Sequence, residues 1–234
     1  MTRIQQRDDS KSAFVFALIF LILSAGIIIT GYIYYRNFEK HYRNEVERQL
    51  SAIAEMKTDE LVDWRKERLA DASVFYKNDE FSAHVRQYLK TPGNPEAQTR
   101  LRTWIRQYQA AFEYDRIFLL DTRGVERMSV PNTLEPLALH LLQQAPGILH
   151  SKQVTFLDFH CDAPDHPIHL AILVPILDGQ EGSRAIGLLV LRIDPQKYLY
   201  PFINRWPIPS KTAETLLVRR EGNEVVFLNE LKFQ

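Results

Sequence analysis

The first pattern along the chain is a run of 23 residues, 13–35, without a single charged side chain. At about 1.5 Å of rise per residue, a helix of this length crosses the roughly 30 Å hydrocarbon layer of a bilayer. A cleaved signal peptide is the alternative, but its apolar core is only about 7–15 residues long and ends at small residues. This run ends instead on aromatic side chains that suit the headgroup region, namely Tyr32, Tyr34 and Tyr35. The pattern predicts a retained transmembrane helix over residues 13–35, with a stub of residues 1–12 before it.

The helical period continues beyond the apolar run. Residues 36–76 contain no proline or glycine, and their apolar positions recur at steps of three and four between charged side chains. This predicts one long amphipathic helix over residues 36–76. Its first half is expected to pair with a second copy as a coiled coil, and its second half to pack on the domain that follows. Two helices with a break near Thr58 and Asp59 are the alternative.

After residue 76 the apolar positions first indicate further helices and then alternate as in strands. A helix is predicted over residues 80–90, and a second begins after an N-cap at Asn94, with Pro95 at its first position. Strands are predicted over residues 116–121, 125–130, 154–160, 168–178 and 185–193, with short helices near 134–144 and 195–204. The last of these strands is strongly apolar, which favours a central place in the sheet. The order predicts an α+β fold with one antiparallel sheet over residues 77–208.

The end of the chain carries one more hairpin signal. Two strand-like segments between Thr212 and Leu228 flank the turn residues Glu221, Gly222 and Asn223. Because an isolated hairpin is only marginally stable in water, residues 209–234 are interpreted as the start of a second, truncated domain. The alternative is that this hairpin adds strands to the first sheet.

Composition and motifs narrow the function classes. Lys+Arg and Asp+Glu are both 29, so no charge surplus favours nucleic acid. The single cysteine, Cys161, excludes an internal disulfide framework. The chain contains no phosphate-binding loop, dinucleotide fingerprint, zinc-protease motif, or kinase or cyclase signature, so nothing favours an enzyme or a cofactor. Three basic residues before the apolar run and four after it leave the orientation open.

Four side chains are candidates for binding a small molecule. Arg127 and Ser129 lie on the second predicted strand, and Tyr108 and Tyr114 lie at the end of the preceding helix. A guanidinium can bind a carboxylate through two hydrogen bonds, and a phenol can orient it. We therefore expect an anionic ligand, a carboxylate above all, with Arg127 as its main contact. The alternative is that Arg127 is a surface arginine on an exposed strand face.

A second cluster suggests a metal. Residues 158–169 contain three histidines, three aspartates and one cysteine, and Asp158, His160 and His169 are candidate ligands for zinc or another divalent ion. Their spacing matches no standard structural zinc site, and a solvated hairpin tip has the same composition. A membrane-anchored metal-dependent enzyme is thus one rival hypothesis, and a dimerisation scaffold without a ligand is another.

Several segments in this order resemble a known family. They are the apolar run with a long helix ending LVDWRKERLADASVF, the hairpin RIFLLDTRGVERMSV, the strands FLDFH and IHLAILVPILD leading to GLLVLRIDPQKYLYPFI, and AETLLVRREGNEVVFLNEL. Together they resemble the double Cache (tandem PAS-like) extracytoplasmic sensor region of bacterial histidine kinases, PAS-containing proteins, diguanylate cyclases and chemoreceptors. The resemblance covers nearly the whole chain.

The resemblance implies a function and an orientation. Residues 75–206 would be the membrane-distal ligand-binding module, residues 36–234 would lie outside the cytoplasmic membrane, and the N-terminus would be cytoplasmic. The chain would be the input part of a dimeric two-component or related signalling protein, although the family's second span and output domain are not in this sequence. The family's amino-acid-binding pattern Arg-x-Trp-Tyr is incomplete in the nearest stretch, Arg102-Thr-Trp104-Ile105, so amino-acid recognition is not predicted.

Overall fold

The computed structural model describes residues 5–132, 137–161, 167–179, 184–207 and 211–230, with side chains from residue 14 onwards. Its helices are α1 (Gln5–Ser73), α2 (Asp79–Lys90), α3 (Pro95–Ala111), α4 (Leu139–Ser151) and α5 (Leu199–Ile203). Its strands are β1 (Arg116–Asp121), β2 (Glu126–Val130), β3 (Thr155–His160), β4 (His169–Asp178), β5 (Arg184–Ile193), β6 (Val218–Glu221) and β7 (Glu224–Phe227). The α+β class predicted from the sequence is confirmed.

The chain forms two compact units, residues 1–59 and residues 60–234. The first unit is helical, and its apolar side chains are exposed, as Phe14 at 70% and Phe20 at 73% illustrate. Among the described residues, α1 is the one helix whose length and composition would let it cross a membrane. It passes Thr58 and Asp59 without a break, so the alternative of two separate helices is wrong.

The second unit is built on a five-stranded antiparallel sheet in the order β2-β1-β5-β4-β3. β5 is the middle strand, as its apolar sequence predicted. The register shifts between Leu119 and Leu120 and between Ile176 and Leu177, at one level of the sheet. Gly187 lies at that level, where a Cβ would come within 2.7 Å of the Leu120 carbonyl oxygen. The strand can therefore carry only glycine there without a shift of the neighbouring backbone.

Each face of the sheet is covered by different helices. On one face, the last turns of α1 together with α2 and α3 bury a cluster of aromatic rings, in which Phe75 lies 4.8 Å from Phe81 and 5.9 Å from Trp104 between ring centroids. On the other face, α4 packs on β1, β4 and β5 through its buried residues, Leu141, Ala145 and Ile148. Burial of these two apolar layers holds the helices on the sheet.

The α3 cap agrees with its prediction. The Asn94 side chain accepts hydrogen bonds from the backbone N–H groups of Glu96 and Ala97 at 2.9 and 3.2 Å, and Pro95 starts the helix. These contacts satisfy donors that the first helical turn leaves open.

Two helix predictions were wrong in their bounds. The helix predicted near residues 134–144 is α4, which runs from Leu139 to Ser151 and contains Pro146. Its buried apolar stripe continues past the proline, so packing on the sheet outweighs the lost backbone hydrogen bond. The prediction also included residues 134–136, which lie outside the described part of the chain. The helix predicted over residues 195–204 is reduced to the five residues of α5.

The terminal hairpin forms its own two-stranded sheet, β6-β7, so it adds no strand to the five-stranded sheet. It is nevertheless attached to the same unit. Arg219 Nη1 donates to the Phe159 carbonyl oxygen at 2.8 Å, and the Tyr200 hydroxyl donates to the Leu228 carbonyl oxygen. These contacts join the hairpin to β3 and α5, next to the edge of the main sheet.

Candidate functional site

The structure does not bring the four predicted ligand residues together. Tyr108 and Tyr114 pack on the α2–α3 face of the sheet, where the Tyr108 ring lies 4.4 Å from that of Phe75. Ser129 lies on the opposite face, because it stands directly opposite Phe118, which packs under α4. Arg127 is found at the rim of the sheet, beside the β1–β2 turn.

The two tyrosines belong to a half-buried polar group that joins α1 to α3. Burial raises the pKa of Tyr108 and of Tyr114, and the nearby Asp71 carboxylate adds to the effect in both, so both phenols stay neutral. Arg68 forms an ion pair with Asp71 at 2.9 Å and donates to the Phe112 carbonyl oxygen at 3.1 Å. Within the described residues, the buried Tyr114 hydroxyl has no hydrogen-bond partner.

Beneath the start of α4 lies a set of polar side chains that we call the α4-face cluster: Arg116, Ser129, Arg192, His140, His160 and His169. Arg116 stands two residues before Phe118, so both side chains are on the α4 face. Its guanidinium carbon lies 4.4 Å from the centre of the Phe118 ring, and its Nη2 donates to the Ser129 hydroxyl oxygen at 3.2 Å. Arg116 is only 1% exposed, the largest fully buried side chain described.

The register of the sheet sets a second arginine beside the first. Arg116 is the cross-strand partner of Arg192, which is next to Ala171 on β4. Arg192 is 8% exposed, and its guanidinium carbon lies 5.8 Å from the same Phe118 ring. Two guanidiniums on adjacent strands therefore share one aromatic ring, and a small side chain adjoins them. Stacking of this kind orients a guanidinium, and the planar guanidinium group matches the geometry of carboxylates.

Asp115 contributes the carboxylate of this region. Its Oδ2 accepts hydrogen bonds from Arg192 Nε at 2.7 Å and Nη2 at 2.6 Å, and its Oδ1 accepts one from Lys197 Nζ at 3.2 Å. Burial by itself would raise the pKa of Asp115, but Arg192 and Lys197 outweigh it and hold that pKa below its ordinary value. Arg192 and Lys197 thus share the Asp115 carboxylate, and Glu113 and Asp194 line the pocket beside Lys197.

The histidines of the cluster come from three elements. His160 on β3 is the cross-strand partner of His169 on β4, and the rings of His140 and His160 are 4.3 Å apart. His160 Nδ1 lies 2.8 Å from the Asp158 carbonyl oxygen. The predicted metal ligands His160 and His169 are thus neighbours, while the Asp158 side chain is 65% exposed and 3.9 Å from Arg219.

The described residues hold no group of three or more His, Cys, Asp or Glu arranged to bind a metal ion. Asp162, Asp165 and His166 of the sequence cluster lie outside the described residues. His160 and His169 lie on the same face of the sheet as the two arginines, and the His140 ring of α4 contacts the His160 ring.

Arg127 occupies a different place from the α4-face cluster. Its Nε and Nη2 both donate to Asp121 Oδ2, at 2.9 and 2.6 Å, and its own carbonyl oxygen accepts a hydrogen bond from the Tyr88 hydroxyl at 2.6 Å. The side chain is 35% exposed and lines a cavity of about 500 Å³ between α2 and the turns at one end of the sheet.

Sequence reasoning missed Arg116 and Arg192. Arg116 is the first residue of β1, RIFLLD, and Arg192 is the last residue but one of β5, RAIGLLVLRI, and both adjoin runs of apolar residues. A charged residue next to an apolar run in a central strand is a candidate for burial, and arginine is rarely buried without a specific role. This signal was present in the sequence.

Comparison with known proteins found similar proteins among the solved structures. No family model matches the chain, and no curated protein matches it. A domain of a sensory box/GGDEF family protein from Vibrio parahaemolyticus is similar with a TM-score of 0.48 and 19% identity, over 70% of this chain and 64% of that one.

Two further similar structures are the ligand-binding domain of the Pseudomonas aeruginosa PAO1 amino acid chemoreceptor PctC in complex with GABA, and the sensor domain of the V. cholerae histidine kinase DctB. The first has a TM-score of 0.47 at 14% identity and covers 68% of each chain. The second has a TM-score of 0.42 at 12% identity and covers 60% of this chain and 54% of the other. These structures are of the class that the sequence resemblance named, and this chain spans roughly half to two thirds of their length.

Proposed function

We propose that this chain is the input part of a membrane-anchored sensor, and that it binds a small carboxylate at the α4-face cluster. The observation that carries the proposal is the pair of buried guanidiniums, Arg116 and Arg192, held side by side over the Phe118 ring. Both arginines are at least nine-tenths buried. A region of the fold that concentrates positive charge away from water favours an anion as ligand.

The chemistry of the cluster favours a carboxylate in particular. A guanidinium presents its N–H donors in a plane that matches two carboxylate oxygens, and such pairs are short and strong where water is excluded. The Ser129 hydroxyl holds Arg116 in place at 3.2 Å, and Asp115 holds Arg192 through two nitrogens. Both guanidiniums are therefore oriented before any ligand arrives, which lowers the entropy lost on binding.

The membrane part of the proposal rests on α1. Its residues 14–35 expose apolar side chains. Such a surface is unfavourable in water and favourable in the hydrocarbon layer of a bilayer. We place the N-terminus in the cytoplasm and residues 36–234 outside the cytoplasmic membrane, with α1 as the contact of a homodimer. The sequence resemblance supports this orientation.

The link between α3 and β1 offers a route for the signal. Its Phe112 carbonyl oxygen accepts a hydrogen bond from Arg68 on α1, and its Asp115 carboxylate binds Arg192 of the cluster. Between them, Glu113 has a φ of 57°, a left-handed conformation that is uncommon outside glycine. A ligand that moves Arg192 would pull on a short segment that also holds α1. The ligand can shift α1 only by as much as its affinity differs between the two states.

Binding to the full chain in lipid nanodiscs tests the proposed site. Isothermal titration calorimetry with acetate, succinate and citrate, and with GABA and arginine as amino-acid probes, would identify the ligand class. Loss of one charge-assisted contact is expected to weaken carboxylate binding about tenfold or more in Arg192→Gln, and less in Ser129→Ala. Arg106→Gln, at an exposed arginine of α3, is the matched control and should bind as the parent does.

The outcomes separate the hypotheses. Carboxylate binding that is unchanged in both Arg192→Gln and Ser129→Ala would exclude the α4-face cluster as the site. Elemental analysis of the purified chain provides a second check, because stoichiometric zinc that is lost in His160→Ala with His169→Ala would favour the metal-dependent alternative. Cysteine pairs introduced along residues 36–56 of α1 test the relay, since their crosslinking should change when the ligand is added.

A further inference from the structure

The cavity beside Arg127 has the size and charge of a second binding site. Its volume of about 500 Å³ lies within the range of about 300–1,000 Å³ that small-molecule sites occupy. It is lined by residues of α2 and the link after it, the end of β1, the β1–β2 turn, β2, the end of β4 and the start of β5, all within one compact unit. We call it the basic groove.

The lining of the basic groove is strongly cationic. Five of its side chains carry a positive charge: Arg86, Lys90, Arg123, Arg127 and Arg184. Among the described residues, the carboxylates of its lining are Asp121 and Asp178. The full sequence has no net charge, so the surplus of three positive charges among these described lining residues is set by the fold and not by composition.

Each carboxylate holds an arginine in place. Asp121 Oδ2 accepts from Arg127 Nε and Nη2, while its Oδ1 accepts from the backbone N–H groups of Arg123 and Val125 at 2.9 and 3.0 Å. Asp178 Oδ2 lies 3.1 Å from Arg86 Nε. Asp121 thus fixes the direction of Arg127, and a guanidinium bound at Nε and one Nη has further donors on its other edge.

Asp121 remains ionised in this arrangement. Burial would raise its pKa, but the hydrogen bonds from Arg127 and from the backbone of Val125 and Arg123 outweigh burial and lower that pKa. The turn and β2 therefore stay tied together over the ordinary pH range. Tyr88 adds a further tie, because its hydroxyl donates to the Arg127 carbonyl oxygen.

We propose that the basic groove binds a small multivalent anion, a molecule with two or more carboxylate or phosphate groups, at a site separate from the α4-face cluster. Lys90 of α2 and Arg123 of the β1–β2 turn both line it, together with Arg127, which Asp121 holds in place. A monovalent anion would meet one or two of these cations, whereas a multivalent one can meet several at once. This makes binding depend on ligand charge and on salt concentration.

Calorimetry on the full chain in nanodiscs of uncharged lipid tests the groove. The probes are citrate for carboxylates, pyrophosphate for phosphates, and acetate as the monovalent comparison. Binding of at least one multivalent probe is expected to weaken about tenfold in Lys90→Gln with Arg123→Gln. Both side chains are exposed, so this variant should keep its fold, which its thermal unfolding profile would verify.

Two controls make the result specific. Arg106→Gln removes an exposed arginine outside the groove and should leave binding unchanged. Arg192→Gln removes a cation of the α4-face cluster and should also leave groove binding unchanged, so this inference and the proposed function can fail separately. The inference would be overturned if neither citrate nor pyrophosphate gave a heat of binding. It would also be overturned if acetate bound as tightly as the multivalent probes, or if Arg106→Gln weakened binding as much as the double substitution does. Preference for citrate or for pyrophosphate would tell which acidic group the groove selects.

Discussion

The contact between Asp115 and Arg192 gives the sharpest test of the structure, because it joins the buried cluster to the α3–β1 link. The substitution Asp115→Asn keeps the size of the side chain and one acceptor oxygen, but it removes the negative charge. Arg192, at 8% exposure, would then keep its charge and lose its carboxylate partner. Lys197 would lose the same partner.

The size of the effect follows from burial. Removing one partner of a fully buried ion pair costs about 3–5 kcal/mol of unfolding free energy. The Asp115 side chain is 19% exposed, and asparagine can still accept one hydrogen bond, so we expect a loss of about 2 kcal/mol. For a unit of this size, that corresponds to a fall in Tm of about 4–8 °C.

The loss of unfolding free energy in Asp115→Asn should also depend on pH. The pKa of Asp115 is lower in the folded chain than its ordinary value of 3.8, so its contribution to stability is present in full above that value. As the pH falls from there towards the folded pKa, the carboxylate becomes protonated and the contribution disappears. The difference between the parent and Asp115→Asn should therefore be constant from pH 5 to pH 7 and shrink below about pH 4.

Tryptophan fluorescence during thermal unfolding is the suitable assay, because Trp64, Trp104 and Trp206 all lie in the sheet unit. Asp63→Asn is the matched control, since its ion pair with Lys66 is about 70% exposed on both sides and should change stability by less than about 0.5 kcal/mol. Equal stability of Asp115→Asn and the parent at pH 7 would refute the reasoning. A difference that stayed unchanged at pH 3 would refute the assignment to the carboxylate charge.

Three further predictions concern stability, measured by the same unfolding assay. Gly187→Ala should lower the free energy of unfolding by about 1–3 kcal/mol, because the alanine Cβ would lie 2.7 Å from the Leu120 carbonyl oxygen. An unchanged Tm would contradict this contact. Asn94→Ala should lower the free energy of unfolding by about 1 kcal/mol, because it removes the two cap hydrogen bonds, whereas Asn94→Asp should keep most of that stability. Tyr114→Phe should be neutral or slightly stabilising, because it removes a buried hydroxyl with no partner among the described residues; a loss above about 1 kcal/mol would indicate a partner.

Much of the fold was predictable because its signals are local. The apolar run and the uninterrupted helical period give α1, the Asn94–Pro95 pair gives the start of α3, and the apolar sequence of β5 gives its central place in the sheet. Each of these depends on neighbours within a few residues. The predicted bounds of α4 were wrong because packing on the sheet, which is not a local signal, carries the helix past Pro146.

The candidate site was predictable only in part. Ser129, His160 and His169 were named for separate reasons, and the structure brings all three to the α4 face. Tyr108 and Tyr114 were grouped with Ser129 by nearness in sequence, but they lie on the other face of the sheet. Alternation along a strand gives the two faces, but it does not say which helix covers which face.

The sequence by itself determined that this chain has a membrane-length apolar helix, a long helix continuous with it and a sheet domain of α+β type. Only the tertiary structure decided that Arg116 and Arg192 are neighbours over one phenyl ring, and that five cations from four segments line one groove. The physical reason is the range of the interactions. Helical period and strand alternation are set by residues a few positions apart, whereas cross-strand register joins residues that are distant in sequence, and it is fixed only when both faces of the sheet are packed.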